Sequence, residues 1–280
     1  MSCVDFILNL AGLLLWIKWR SLPFDPIHKR TPATLVGTLR RAAPSRFQRW
    51  HLLAAIGLLV GLRALLYQQV GPAVHWTGQL DLGVLTLSFR SELFGRMLCY
   101  SLLSFALGLV FFYLCLLLLS LLAGRGAKDE PVHRLVRMQL GRVDGWPRWM
   151  KVFLPFATGA LCWWPAGWLL ARLAVIPAPI SIAHHLEQSA VIGLGSYLAW
   201  KFAAATLLVV HLLNNYIYFG KHPFWSYVNT CARTLLWPLQ KIPLRAGRMD
   251  FTPVAGIALI FFAGELAERA LVWLYARLPL

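Results

Sequence analysis

Five ionisable residues lie where an apolar chain has least use for them: Arg63, Lys201, His211, Glu265 and Glu268 each interrupt or border a hydrophobic run. A charge in hydrocarbon is costly, so it pairs, reaches for the headgroups, or lines a polar path. Lys201, His211, Glu265 and Glu268 could line a route for an ion or a proton. They could also tie helices together, Lys201 to Glu265 between helices and Glu265 to Arg269 four residues further along the same helix. Arg63, Glu268 and Arg269 have stems long enough to reach lipid headgroups. The favoured expectation is structural pairing, with the conducting path as the alternative.

Other constellations offer less chemistry. His184, His185 and Glu187 suggest a metal at first sight, but adjacent residues on a helix point in different directions and no second cluster completes a ligand set. Cys3, Cys99, Cys115, Cys162 and Cys231 form no close pair, so neither a disulfide framework nor a zinc site is expected. The glycines lack the strand-to-helix spacing that cradles phosphate. Trp163 and Trp164 read as packing or interface anchors. No metal, cofactor or catalytic set is expected.

The elements that must position these residues are apolar helices. Of 280 residues, 59% are hydrophobic and 14% charged, and the mean hydropathy is +0.62. A water-soluble domain of this size has nowhere to bury so much apolar surface. Runs at about 4–19, 50–67, 96–122, 152–173, 190–213 and 254–274 approach or reach the roughly 20 residues a spanning helix needs. The expected fold is all-α, a polytopic membrane protein of six transmembrane helices, with the first helix retained rather than cleaved as a signal peptide. Pro155 and Pro165 predict a kink in the fourth run. The alternation in 79–89 (QLDLGVLTLSF) predicts a short surface hairpin. Residues 132–143 and 225–237 read as amphipathic interfacial helices, and 175–189 as a short link.

The net charge of +16 is concentrated rather than spread. Eight basic residues fall in 18–50, seven in 124–151 and five in 216–252, which is twenty of the 27 in the chain. Lys and Arg are retained on the cytoplasmic side, so these three connections are expected inside and both termini outside. The basic residues then face anionic headgroups, and a nucleic-acid partner is not expected.

The same three connections suggest an internal repeat with units 1–90, 91–185 and 186–280. Each pairs a basic amphipathic segment with a second helix that carries two glycines: Gly57 and Gly61, Gly159 and Gly167, Gly256 and Gly264. The units close at Pro72, Pro177 and Pro279, and such regularity predicts three copies of one helical hairpin, two of them degenerate.

The third unit carries a pattern in WPLQKIPLRAGRMDFTP: Pro238, Lys241, Pro243, Gly247, Asp250, Thr252 and Pro253. Over about 50 residues, Tyr227 to Leu274, this resembles the YggT family, also called the YlmG or Ycf19 family. Gln240 stands where that family usually has Arg, and Thr252 where it usually has Ser. The first unit retains Arg40, Arg41 and Pro44; the middle unit keeps Arg137, Gly141 and Pro147, with Asp144 displaced. The resemblance implies a multi-pass protein of the bacterial inner (plasma) membrane. It also implies a role in organising membrane-associated processes: division, nucleoid or thylakoid organisation, assembly of membrane complexes, or an ion-related response to osmotic stress.

Asp250 or Thr252 can cap the last helix, with Pro253 at its first position. Alternatively Asp250 bonds Arg245 or Lys241 and sets the elbow as a recognition surface. The expected function is a non-catalytic scaffold or assembly factor. Arg40, Arg41, Arg134, Arg137, Arg233 and Lys241 would attract lipid phosphate, and another membrane protein or a second copy of the chain would be the partner. A channel or transporter using Lys201 and Glu265 is the alternative.

Overall fold

A computed structural model describes residues 2–21, 49–73, 75–123, 130–177, 181–217, 222–241, 245–246 and 249–277. It is predominantly helical. Helix α1 covers Ser2–Ser21, α2 Arg49–Ala73, α3 Phe94–Leu122, α4 Pro131–Leu140 and α5 Arg148–Arg172. Helix α6 covers Ile182–Gly195, α7 Ala199–Tyr216, α8 Pro223–Leu236 and α9 Thr252–Arg277. A short hairpin of β1 (Gly78–Asp81) and β2 (Thr86–Phe89) precedes α3, and the two-residue strands β3 (Arg245–Ala246) and β4 (Met249–Asp250) precede α9.

Four of the described helical segments are long and apolar enough to cross a membrane: α2, α3, α5, and the stretch Ile182–Tyr216 formed by α6 and α7. That stretch departs from the sequence expectation at its start. Residues 182–189, read as part of a link, are already helical, because the Ser181 hydroxyl accepts from the His184 amide at 3.1 Å and caps the helix. A 3-10 turn at Ser196–Leu198 joins α6 to α7. Helix α5 runs through both Pro155 and Pro165 as one segment.

The chain divides into two compact units. The first comprises Met1–Trp76 and Arg90–Leu109. On α2 the buried residues Leu52, Ile56, Val60, Arg63, Ala64, Tyr67 and Gly71 recur every three or four positions, so one stripe faces the neighbouring helices. The Ser101 hydroxyl of α3 donates to the Val60 carbonyl at 2.9 Å. Tyr67, Trp76 and Tyr100 stack around one another, with Trp76 4.8 Å from Tyr67 and 5.6 Å from Tyr100 between ring centroids.

The second unit comprises Thr77–Phe89 and Val110–Leu280. Its hairpin pairs Gly78 with Phe89 and Asp81 with Thr86, and buries Leu80, Leu87 and Phe89. The turn is held by the Gly83 amide, which donates to Asp81 Oδ1 at 2.8 Å, and Gly83 takes the left-handed φ of 82° that favours glycine. Helices α5 and α6 meet closely at Gly159 and Gly193: a β-carbon on Gly193 would sit 2.7 Å from the Phe156 carbonyl oxygen. The Trp200 indole of α7 donates to the Leu114 carbonyl of α3 at 3.1 Å. Leu207 and Leu208 of α7 and Tyr227, Val228, Cys231, Ala232 and Leu236 of α8 form an apolar core with Ala123.

Candidate functional site

The polar centre of the second unit is built from short amphipathic elements. Helix α4 starts at Pro131, a residue suited to the first helical turn because it has no amide to satisfy. His133, Val136 and Leu140 share its buried face, which leaves Arg134 and Arg137 exposed. Gly141, at φ 62°, ends the helix, and the 3-10 turn Gly141–Gly145 tucks Asp144 inward. The first turn of α5 then brings in Lys151, also buried.

Asp144 is the hub. Its Oδ1 accepts from the Ser120 hydroxyl at 2.5 Å, and its Oδ2 lies 3.2 Å from His133 Nε2. Lys151 Nζ donates to Ser120 Oγ at 2.7 Å and to the Asp144 carbonyl at 2.6 Å, and stands 3.7 Å from Asp144 Oδ1. On its other side, His133 Nδ1 lies 3.4 Å from the Tyr227 hydroxyl of α8. Ser226 donates to Glu130 Oε1 at 2.8 Å, a second tie between α8 and the start of α4. Burial alone would raise the Asp144 carboxyl. The Ser120 hydrogen bond, together with His133 and Lys151, outweighs it and holds that group below the usual carboxylate range. Burial raises the Tyr227 phenol and pushes the Cys231 thiol up to about 11.

Ser120 and Lys151 are spaced like a nucleophile and its base, but their bonds are committed elsewhere. The Ser120 proton goes to a carboxylate, and Lys151 donates to Ser120 instead of drawing a proton from it. Both side chains are buried. The arrangement fixes geometry: it locks α3, α4, α5 and α8 together and keeps a carboxylate charged.

A second polar cluster lies in the first unit. Arg63, 1% exposed, forms an ion pair with Asp5 of α1. It also donates to Asn9 Oδ1 at 2.7 Å and to Ser104 Oγ at 2.8 Å. Asp5 accepts further bonds from the Tyr67 hydroxyl at 2.6 Å and the Tyr100 hydroxyl at 3.0 Å. Arg63 therefore points into protein, where the sequence suggested a reach to headgroups. A short, dense partner set outcompetes a longer route to the interface.

The remaining intramembrane candidates separate into pairs. Lys201 meets Glu268 at 2.7 Å, not Glu265, because Gly264 and Glu268 lie on the α9 face that packs on α7. Glu265 is turned away by one residue's rotation and bonds Arg269 at 3.0 Å. His211 Nδ1 lies 2.8 Å from Asn229 Oδ1, which also accepts from Asn214 at 3.2 Å. Lys201, His211, Glu265 and Glu268 thus belong to three separate local pairings. His185 Nε2 donates to the Trp164 carbonyl at 2.9 Å, and His184 Nε2 accepts from Gln188 at 2.8 Å.

At the third elbow, Arg233, Pro238 and Lys241 are exposed, with the Lys241 ammonium 4.8 Å from the Trp237 ring centroid. Thr252 and Pro253 are buried at the start of α9. Asp250 sits opposite Arg245 in the β3–β4 register. Pro243 and Gly247, and Arg40 and Arg41 of the first unit, lie outside the described residues. Sequence reasoning missed two separate bonded sets: Asp5 with Arg63 in the first unit, and Ser120, His133, Asp144 and Lys151 in the second. The available signal was that Asp5 and Arg63 are opposite charges in the first two apolar runs.

Comparisons of the chain with protein-family models, curated proteins and solved structures find no match. The functional reading rests on the residues and their geometry.

Proposed function

We propose that the protein is a non-catalytic membrane scaffold of the YggT type, with six spans formed by three related hairpins. In this reading α1 and α9 join the four long apolar segments as spanning helices, both termini face outward, and the basic connections lie on the cytoplasmic leaflet of the bacterial inner membrane. The amphipathic helices α4 and α8 sit at that leaflet and present a basic surface to anionic headgroups and to a membrane-protein partner.

The observation that carries this reading is the Asp144 network. It joins α4 and α8 to the apolar helices through buried hydrogen bonds, while Arg134, Arg137 and Arg233 stay exposed. Such rigid mounting suits a recognition surface: the buried faces are fixed by protein, and the basic faces are left for something outside it. Each basic residue near an anionic leaflet contributes about 1 kcal/mol of attraction. The pairing of Lys201 with Glu268 neutralises the charges a conducting path would need, which favours the scaffold over the channel.

The test is affinity purification in mild detergent, with mass spectrometry of both protein and lipid. Wild type is compared with a triple Arg134→Gln, Arg137→Gln, Arg233→Gln variant and with Asp250→Ala. The scaffold reading expects enrichment of anionic lipid and a stoichiometric protein partner, the lipid lost in the triple variant and the partner lost in Asp250→Ala. Equal lipid recovery from all three, with no partner, would overturn it and move attention to ion flux in liposomes with Lys201→Met and Glu268→Gln.

A further inference from the structure

Helix α9 is packed along a narrow seam. Gly256 meets Leu208 and Leu236, Gly264 meets Lys201, and Glu268 closes the Lys201 ion pair. Beside that seam, an exposed stripe at helical spacing carries Val254, Ala258, Phe261, Glu265, Arg269, Val272 and Ala276. The Glu265 and Arg269 side chains are 56% and 75% exposed.

This placement is costly in a bilayer. Glu265 lies about 20 Å along α9 from Thr252, inside a hydrocarbon layer of about 30 Å. An ion pair exposed to lipid there retains most of the desolvation penalty of both charges, and one hydrogen bond between them does not offset it. Intramembrane charges almost always face protein or water. Something polar therefore covers this stripe.

We propose that the cover is a second copy of the chain, docked α9 against α9 within the bilayer, with Glu265 of each copy reaching Arg269 of the other. The inference rests on α9 spanning the membrane, as in the proposed function. Charge complementarity selects this occupant. Two copies related by a two-fold axis along the membrane normal bring their α9 helices together in parallel and at equal depth. Each carboxylate then accepts from two guanidinium groups in an alternating quartet. An unrelated helix would have to supply a matching pair at the same depth, whereas a second copy supplies it by symmetry. Phe261, one turn from Glu265 on the same stripe, supplies apolar contact across the two copies, and the small Ala258 and Ala276 leave room for it two turns from the quartet on either side.

The test counts chains in liposomes by single-molecule photobleaching of the fluorescently tagged full-length protein. Wild type should bleach in two steps. Glu265→Arg places four like charges at the contact and should weaken association about a hundredfold, as a like-charge penalty of several kcal/mol implies. The double variant Glu265→Arg, Arg269→Glu restores alternation and should restore two-step bleaching. Ala258→Phe alters packing but not charge, so it should give single steps even if the charge variants insert poorly. On the same vesicles, Ala263→Cys, on the α9 surface away from the stripe, is challenged with a membrane-impermeant maleimide and compared with the parent chain. Protection together with single-step wild type would sink the dimer and leave the six-span reading intact. Reaction would show that α9 lies outside the bilayer, and both would fall.

Discussion

The Lys151 ammonium lies 2.7 Å from the Ser120 hydroxyl, and Lys151 is only 4% exposed. A lysine in the first turn of a membrane helix ordinarily stretches its stem toward the headgroups. Here the side chain is drawn inward instead, because the Asp144 carboxylate and carbonyl and the Ser120 oxygen together replace its water. The lysine then serves as a clamp between α3, α5 and the turn after α4.

Removing the hub should therefore leave charge without compensation. Asp144→Ala strands Lys151 and His133 in a buried site, and breaking a buried pair in this way costs roughly 3–5 kcal/mol. The expected outcome is a clearly lower melting temperature in detergent, read by intrinsic fluorescence. Trp149, which is exposed, makes a suitable control: Trp149→Leu should melt like wild type.

The pH dependence has a definite sign. The folded state holds the Asp144 carboxyl below its ordinary value through Ser120, His133 and Lys151, so near and below pH 4 the unfolded chain binds the proton more readily. The stability from this group is fully present above the unfolded value of about 3.9 and is lost as pH falls through the folded value. Melting temperatures measured from pH 7 down to pH 3 should fall at the acid end. Asp144→Asn should flatten that limb by lowering the melting temperature at neutral pH toward the acid value, because the variant lacks the carboxylate's contribution at every pH.

The apolar runs and the 79–89 hairpin were legible because their signals are local: run length in one case, alternation in the other. The polar sites were not, because their members are far apart in sequence. Ser120, His133, Asp144 and Lys151 come from four separate elements, and Asp144 read only as a displaced motif residue. The pairing of Lys201 with Glu268 depends on the rotational phase of α9, which sequence leaves open by the one turn that separates Glu265 from Glu268. Helix α6 went unread at its start because the prolines at 177 and 179 mask a serine cap.

Asp5 and Arg63 should behave as a coupled pair. Asp5→Leu strands the buried Arg63 charge and should cost roughly 3–5 kcal/mol, whereas Arg63→Met leaves a half-buried Asp5 still bonded by Tyr67 and Tyr100 and should cost less. The double variant should recover at least about 1 kcal/mol relative to the sum of the two. Unfolding in mixed micelles by dodecyl sulfate titration measures the cycle; strict additivity would show that the pair carries no coupling.

Two glycines should respond in opposite ways to the same change. Gly193→Ala pushes a methyl group to within 2.7 Å of the Phe156 carbonyl oxygen and should destabilise by about 1–3 kcal/mol. Gly57→Ala, on α2, meets nothing within 4 Å and should stabilise by about 0.5–1 kcal/mol, because alanine is the better helix former. The same dodecyl sulfate titration separates them.

The Asp5–Arg63 pair also constrains how the protein is made. In the six-span reading, α1 emerging alone from the ribosome carries an unpaired carboxylate in its first turn, at less than the roughly 2.5–3.5 kcal/mol an aspartate costs at a helix centre. The residue that neutralises it arrives only after the whole 22–48 connection and half of α2 have been translated. In the six-span reading, α1 and α2 enter the lipid most cheaply as one joined hairpin with the charges already paired. The insertion machinery would have to keep the first helix waiting until its partner has been synthesised.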